Sequence, residues 1–231
     1  MVTGQEHTVK AFDQDIKQLR ALISQMGGLA EEAIHDAMKA LQRGDTALAD
    51  QVRGKDKAID AIEAEVEKLV VRVIALRAPM ADDLREVIAA LKIAAVVERI
   101  GDYAKNIAKR VPLIHTEGED RIEALSLLPA MAQMASDMVH DVLDAFGSRD
   151  AEAAAEVVVR DTALDDFYDS IFRTLVTFMV ENPRTISQVA HLLFVAKNLE
   201  RIGDHATNVA EMVYFAATGR YLADSGESGA N

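Results

Sequence analysis

Apolar residues recur every three or four positions through most of this chain, and the breaks in that rhythm come in the same order twice. After a polar start to about Lys10, the spacing predicts a first helix over Phe12–Arg43, ended by Gly44. Asp45 is expected to cap a second helix reaching Arg77, because its carboxylate can accept the first free amides. Pro79 stops that helix, Asp82 and Asp83 open a third that runs to Arg110, and Pro112–Arg121 reads as a linker. A fourth helix is predicted over Glu123–Phe146, ended by Gly147. A fifth, capped by Asp150, runs to Glu181; Pro183 breaks it, and Thr185 is expected to cap a sixth that reaches Thr218. The residues from Gly219 onward are small and polar, as in a disordered tail.

The two runs of breaks mark an internal duplication. Ala33-Ile34-His35-Asp36 pairs with Met138-Val139-His140-Asp141 at a shift of about 105 residues, and beyond the Pro79 and Pro183 turns the shift falls to about 102. The predicted fold is therefore all-α: two tandem, homologous, antiparallel three-helix bundles, covering 8–111 and 122–218, followed by a tail over 219–231. Helices of this length, roughly 45 Å, imply an elongated molecule.

On the second helix Ile59, Ile62, Val66, Leu69, Val73 and Leu76 form an apolar seam. On the third, Leu84, Ile88, Leu91 and Ala95 form another, with a second stripe (Ile93, Val97, Ile100, Ala104, Ile107, Val111) on its opposite side. Continuing the Leu84–Ala95 steps leads to Glu98 and Asp102, carboxylates at positions where the pattern predicts core. The second copy runs from Ile186, Ala190 and Leu193 through Lys197 to Glu200 and Asp204. Both pairs belong to one motif, Glu-Arg-Ile-Gly-Asp, at Glu98–Asp102 and Glu200–Asp204, with Asn106 and Asn208 four residues further on. Carboxylates one turn apart repel each other unless a cation lies between them.

Asp56 and Asp60 on the second helix, matched by Asp161 and Asp165 on the fifth, add further pairs, and Glu63, Glu67 and Asp169 extend the strip. If these helices neighbour the motif helices, four carboxylates converge in each half. Oxygen ligands without thiolate suit hard or borderline ions such as magnesium, manganese, iron or zinc. The competing explanation is ion pairing, with Arg99 and Arg201 bridging to acids of other helices. Glu32/Asp36 and Asp137/Asp141, beside His35 and His140, read as solvated faces. Gly101 and Gly203, inside helices where glycine is unfavourable, suggest a close approach of a neighbouring element.

Composition narrows the function. The formal charge of −13 argues against nucleic acid and favours cationic partners. The absence of cysteine excludes disulfides and thiolate sites, and no apolar run is long enough for a bilayer, so a cytoplasmic protein is expected. No Gly-rich phosphate loop and no Ser-His-Asp set is legible, which leaves catalysis unsupported. Two alternatives stay open: a carboxylate-bridged metalloenzyme, and a structural dimeric helical protein without metal.

A duplicated helical chain with an intact Glu-Arg-Ile-Gly-Asp-x-x-x-Asn in each half resembles the PhoU family, over about Glu6–Arg220. The resemblance implies a cytoplasmic, often dimeric, non-enzymatic negative regulator of the phosphate-starvation response. Such a protein links the ATPase subunit of the phosphate ABC transporter to the sensor histidine kinase of the phosphate two-component system and modulates phosphate uptake. Some members hold multinuclear metal clusters on Glu/Asp-x-x-x-Asp pairs. That implies Glu98, Asp102, Glu200 and Asp204 as ligands here, with Asp56, Asp60, Asp161 and Asp165 from the neighbouring helices and Asn106 and Asn208 in support. Tyr103 stands where the second copy has His205.

Overall fold

The computed structural model describes residues 3–114 and 123–222, with side chains from 11 and from 125 onward in the two stretches. Most of the expected linker and of the expected tail therefore lies outside the described residues. The helices are α1 (Thr3–Arg43), α2 (Thr46–Arg77), α3 (Asp82–Ala108), the single turn α4 (Val111–Ile114), α5 (Leu128–Ser148), α6 (Ala151–Glu181) and α7 (Ile186–Thr218). Among the described residues there is no strand. Helix α1 begins at Thr3, nine residues before the expected start at Phe12.

Most turns form as their residues dictate. Gly44 takes the left-handed φ of 66° that ends α1, and Asp45 accepts from the Leu48 amide at 2.9 Å. Asp150 likewise accepts from the amides of Glu152 and Ala153, both at 3.0 Å. Three expectations fail. Gly147 stays inside α5, and Arg149 adopts the left-handed conformation (φ 60°) that closes it. Thr185 does not cap α7; its hydroxyl donates to the carbonyl of Asn182 across a 3-10 turn at 2.8 Å. The start of the expected linker is ordered, because Val111 and Ile114 are buried and fold that stretch back as α4.

α1, α2 and α3 pack on one another as the first bundle, and α5, α6 and α7 as the second. The two are not separate bodies strung on a linker: α1 lies against α5 and α3 against α7, and one continuous core runs through all six long helices. Along α1, Leu19, Ile23, Met26, Ala30, Ile34, Ala37 and Leu41 are buried at steps of three and four. Each buried Leu or Ile contributes about 1.5–3 kcal/mol of apolar transfer free energy. The buried Glu86 of α3 ties the halves together, pairing with Arg20 of α1 at 2.5 Å and with Arg149 beyond α5 at 3.3 Å.

The stripe from Ile93 to Val111 is the core of α3, and the other stripe is not. Leu84 and Ala95 are exposed, while Ile88 and Leu91 are only half-buried. On α2, Ile59 to Val73 are buried but Leu76 is exposed. The matching seam of α7 also lies outside the core, with Ile186 exposed and Ala190 and Leu193 half-buried. Glu98, Asp102, Glu200 and Asp204 therefore sit on the walls of outer grooves, α2/α3 in one half and α6/α7 in the other. Exposure there is uneven: the Asp102 side chain is 46% exposed and that of Glu200 only 12%, so the cost of burial falls unequally on the four.

Candidate metal centre

Each groove is closed at its base by the glycine of the motif. A Cβ at Gly101 would lie 2.7 Å from Cδ1 of Ile59. One at Gly203 would lie 2.2 Å from Cδ2 of Leu164 and 3.2 Å from Oδ1 of Asp161. The close approach expected of both glycines is thus real, and it draws the acids of α2 toward α3 and those of α6 toward α7.

In the second half Asp161, Asp165 and Asp204 each turn an oxygen into a common space, all within 4.8 Å of one another. Oδ1 of Asp161 and Oε2 of Glu200 are buried without a hydrogen-bond partner. Burial, then Asp165, Asp204 and Glu200, push the Asp161 carboxyl up to about 6. Asp165 and Asp204 are raised as well, by burial first and then by the neighbouring carboxylates. Lys197 borders the group: it donates to Glu200 at 2.5 Å, and its ammonium lies 5.3 Å from the centre of the Tyr168 ring, while the exposed Arg201 acts on Asp204 from further out. Four acids with cations only at the edge, and with two buried oxygens lacking donors, form a site to which a metal ion would supply further positive charge.

In the first half the same acids gather around a cation of the chain. Lys105 donates to Asp56, which is 8% exposed, and to Asp102 at 3.1 Å. The hydrogen bond to Asp56 is the largest of the effects that raise the Lys105 ammonium above its ordinary range. Glu98 is raised by burial, then by Asp102, Glu63, Asp60 and Asp56. Among the described residues, however, carboxylate oxygens come within 4.8 Å of one another as a group of three only in the second half. Asp102 itself remains 46% exposed.

The arginines of the motif do not bridge to these acids. Arg99 and Arg201 are exposed, and among the described residues neither forms an ion pair. They flank the contact between the halves instead, where the Tyr103 and His205 rings meet edge-on at 5.2 Å and Arg201 lies 5.9 Å from the Tyr103 ring. Burial, then Arg99 and Arg201, lower the His205 imidazole. Asn106 accepts from Lys109 at 3.0 Å, whereas Asn208 is exposed and lines an apolar groove of about 460 Å³ between α3 and α7. Of the expected solvated pairs, Glu32 and Asp36 share Lys55, at 2.7 and 3.3 Å, and Asp141 pairs with Arg160 at 2.6 Å. Lys105 and Lys197 were absent from the sequence-based set. The repeat contained their signal, since Lys105 aligns with Thr207 and Lys197 with Ala95, a charge asymmetry inside an otherwise duplicated site.

The fold and the paired acidic grooves define an all-α protein of two homologous three-helix bundles. The particular family is shown by comparison. The PhoU domain model matches residues 23–111 and again 128–213, one match to each half. A phosphate-specific transport system accessory protein PhoU homolog of Zymomonas mobilis is 54% identical over 216 residues, covering 94% of this chain and 90% of that protein. Its counterpart in Caulobacter vibrioides is 46% identical over 217 residues, covering 94% of both. The crystal structure of PhoU from Pseudomonas aeruginosa superposes with a TM-score of 0.85 at 38% identity, over 90% of this chain and 100% of that one. That of the phosphate transport system regulatory protein PhoU from Streptococcus pneumoniae gives 0.84 at 27% identity, over 91% and 99%. The chain belongs to the PhoU family, whose members are accessory and regulatory proteins and not enzymes. Among the described residues no helix is long and apolar enough to cross a membrane.

Proposed function

We propose that this chain is the accessory regulator of a phosphate-specific transport system and that its acidic grooves carry metal ions. The relatives' names support the first part. The second is carried by one observation: three convergent carboxylates, one of which has a buried oxygen with no donor. Asp161, Asp165 and Asp204 would hold the ion, with Glu200 beside them. Asp56, Asp60, Glu98 and Asp102 would form the counterpart once Lys105 swings away; Asn106, bonded to Lys109, and Asn208, in the α3/α7 groove, would have to turn to support the two sites. Oxygen donors suit iron, zinc, manganese or magnesium. The ion's role would be to neutralise the groove and order its walls, so that a partner meets a defined surface.

In this reading the protein acts in the cytoplasm as a homodimer. It represses the phosphate-starvation response by linking the ATPase subunit of the transporter to the sensor histidine kinase. Deleting its gene should derepress phosphate-scavenging genes in phosphate-rich medium; unchanged expression removes the regulatory role. Elemental analysis of protein purified without chelator should find metal that is lost in Asp161→Asn/Asp204→Asn. Equal, near-zero metal in both proteins removes the metal reading and leaves the ion-paired arrangement, which the Lys105 contacts already favour in the first half.

A further inference from the structure

The interface of α1 with α5 has two ends related by the duplication, and their charges are opposite. At one end a cleft of about 410 Å³ is lined by His35, Lys39 and Arg43 from α1 and by Gln133 and Ser136 from α5, over an apolar floor that includes Ile34. His35, Lys39 and Arg43 are spaced four apart and so share one face of α1. At the other end the aligned residues are His140 for His35, Asp144 for Lys39, Ser148 for Arg43 and Glu31 for Ser136. That end is satisfied internally: His140 lies 3.3 Å from Glu31 and 3.6 Å from Asp144, and Glu31 is the first cause of its raised imidazole.

The first end has no such closure. Among the described residues neither Lys39 nor Arg43 forms an ion pair, in a chain with 38 acidic and 25 basic side chains. Two acids beside the cleft in sequence are engaged elsewhere, since Asp36 is paired with Lys55 and Asp137 accepts from Gln133 at 2.7 Å. Packing does not require this charge, because the duplicate end packs with the sign reversed. Two adjacent cations in a cleft gain most from a group that can take both at once. The guanidinium fork and the ammonium point charge together suit a tetrahedral dianion, with the hydroxyl of Ser136 as a further donor. The volume lies within the range of small-molecule sites and exceeds that of a bare anion.

We propose that the cleft formed by His35, Lys39, Arg43 and Ser136 binds a phosphoryl group, either as inorganic phosphate or on a small organic phosphate. This does not rest on the metal reading. The test is calorimetric titration of the full chain, stripped of metal by chelator, with inorganic phosphate and with ADP separately at constant ionic strength. Saturable binding is expected from at least one of them. It should weaken by about tenfold or more in Lys39→Asp/Arg43→Ser, which installs the residues of the duplicate end, and less in Lys39→Gln alone. Asp161→Asn should leave it unchanged. Binding of inorganic phosphate assigns the site to the bare anion, and binding of ADP alone assigns it to an organic phosphate. Absence of saturable heat from either, or affinity indifferent to both substitutions in protein whose circular dichroism is unchanged, overturns the proposal.

Discussion

The two acidic grooves of this molecule are copies of one design that differ in where the chain places its own cation. In the first, Lys105 reaches the bottom of the groove and joins Asp56 to Asp102. In the second the aligned residue is Thr207, whose hydroxyl turns back to the carbonyl of Asp204 at 2.7 Å, and the lysine appears at the edge as Lys197. The consequence is electrostatic. Asp56 is buried and paired, whereas its counterpart Asp161 is part-buried, unpaired at Oδ1 and pushed up to about 6. The position of one lysine thus separates a groove whose buried aspartate is paired from one whose buried aspartate oxygen is not.

Exchanging that side chain should exchange the behaviour. Thr207→Lys is expected to lower metal affinity of the second groove by 100-fold or more, as loss of a ligand would, measured by competition with a chromogenic chelator. Lys105→Thr should do the reverse, adding metal-binding capacity while costing the metal-free protein about 2–3 kcal/mol in denaturant unfolding. That is less than the roughly 3–5 kcal/mol of a fully buried pair, because Lys105 is part-exposed. If neither variant changes metal content, the grooves are not distinguished by their lysines.

Packing gives a smaller contrast. The Cβ of Gly203→Ala meets the fully buried Leu164 at closer range than that of Gly101→Ala meets Ile59. Gly203→Ala should therefore cost about 1–2 kcal/mol after its gain in helix propensity, and Gly101→Ala about 1 kcal/mol less. Equal thermal midpoints for the two variants would contradict this ordering.

The smallest effect is pH-dependent. A carboxyl raised from 3.8 to about 6 stabilises the fold below its unfolded value, and that stability is lost as pH rises through 6. In metal-free protein Asp161→Asn should be the more stable at pH 8, by about 1 kcal/mol or less given the solvent screening of a part-exposed group. The gain should fade toward pH 4. With metal bound the sign should invert, since the same substitution removes a ligand. Thermal melts with and without chelator read both signs.

Much of this was legible in the residues. The duplication, the aspartate caps at Asp45 and Asp150 and the close approach at Gly101 and Gly203 follow from local chemistry, and the structure has all of them. The face of α3 was not legible, because that helix packs against α1, α2 and α7 and so carries apolar residues around most of its circumference. Periodicity alone then cannot tell the Ile93–Val111 stripe in the core from the Leu84–Ala95 stripe lining a groove. Arg149 in the left-handed region escaped for another reason: its amide and that of Asp150 close the helix on the carbonyls of Phe146 and Ala145, and its side chain pairs with Glu86, so a non-glycine residue fills a place that glycine usually takes.

The continuous core through α1 with α5 and α3 with α7 bears on how such a chain arises. A half-length ancestor with this face would have paired with its own copy about a two-fold axis, each residue near the axis meeting itself. In the present chain that place is held by Tyr103 against His205, a juxtaposition no symmetric pair of identical halves can make. Because the two copies lie in one chain, each position at the contact can differ from its counterpart while the packing of α1 on α5 and of α3 on α7 is kept.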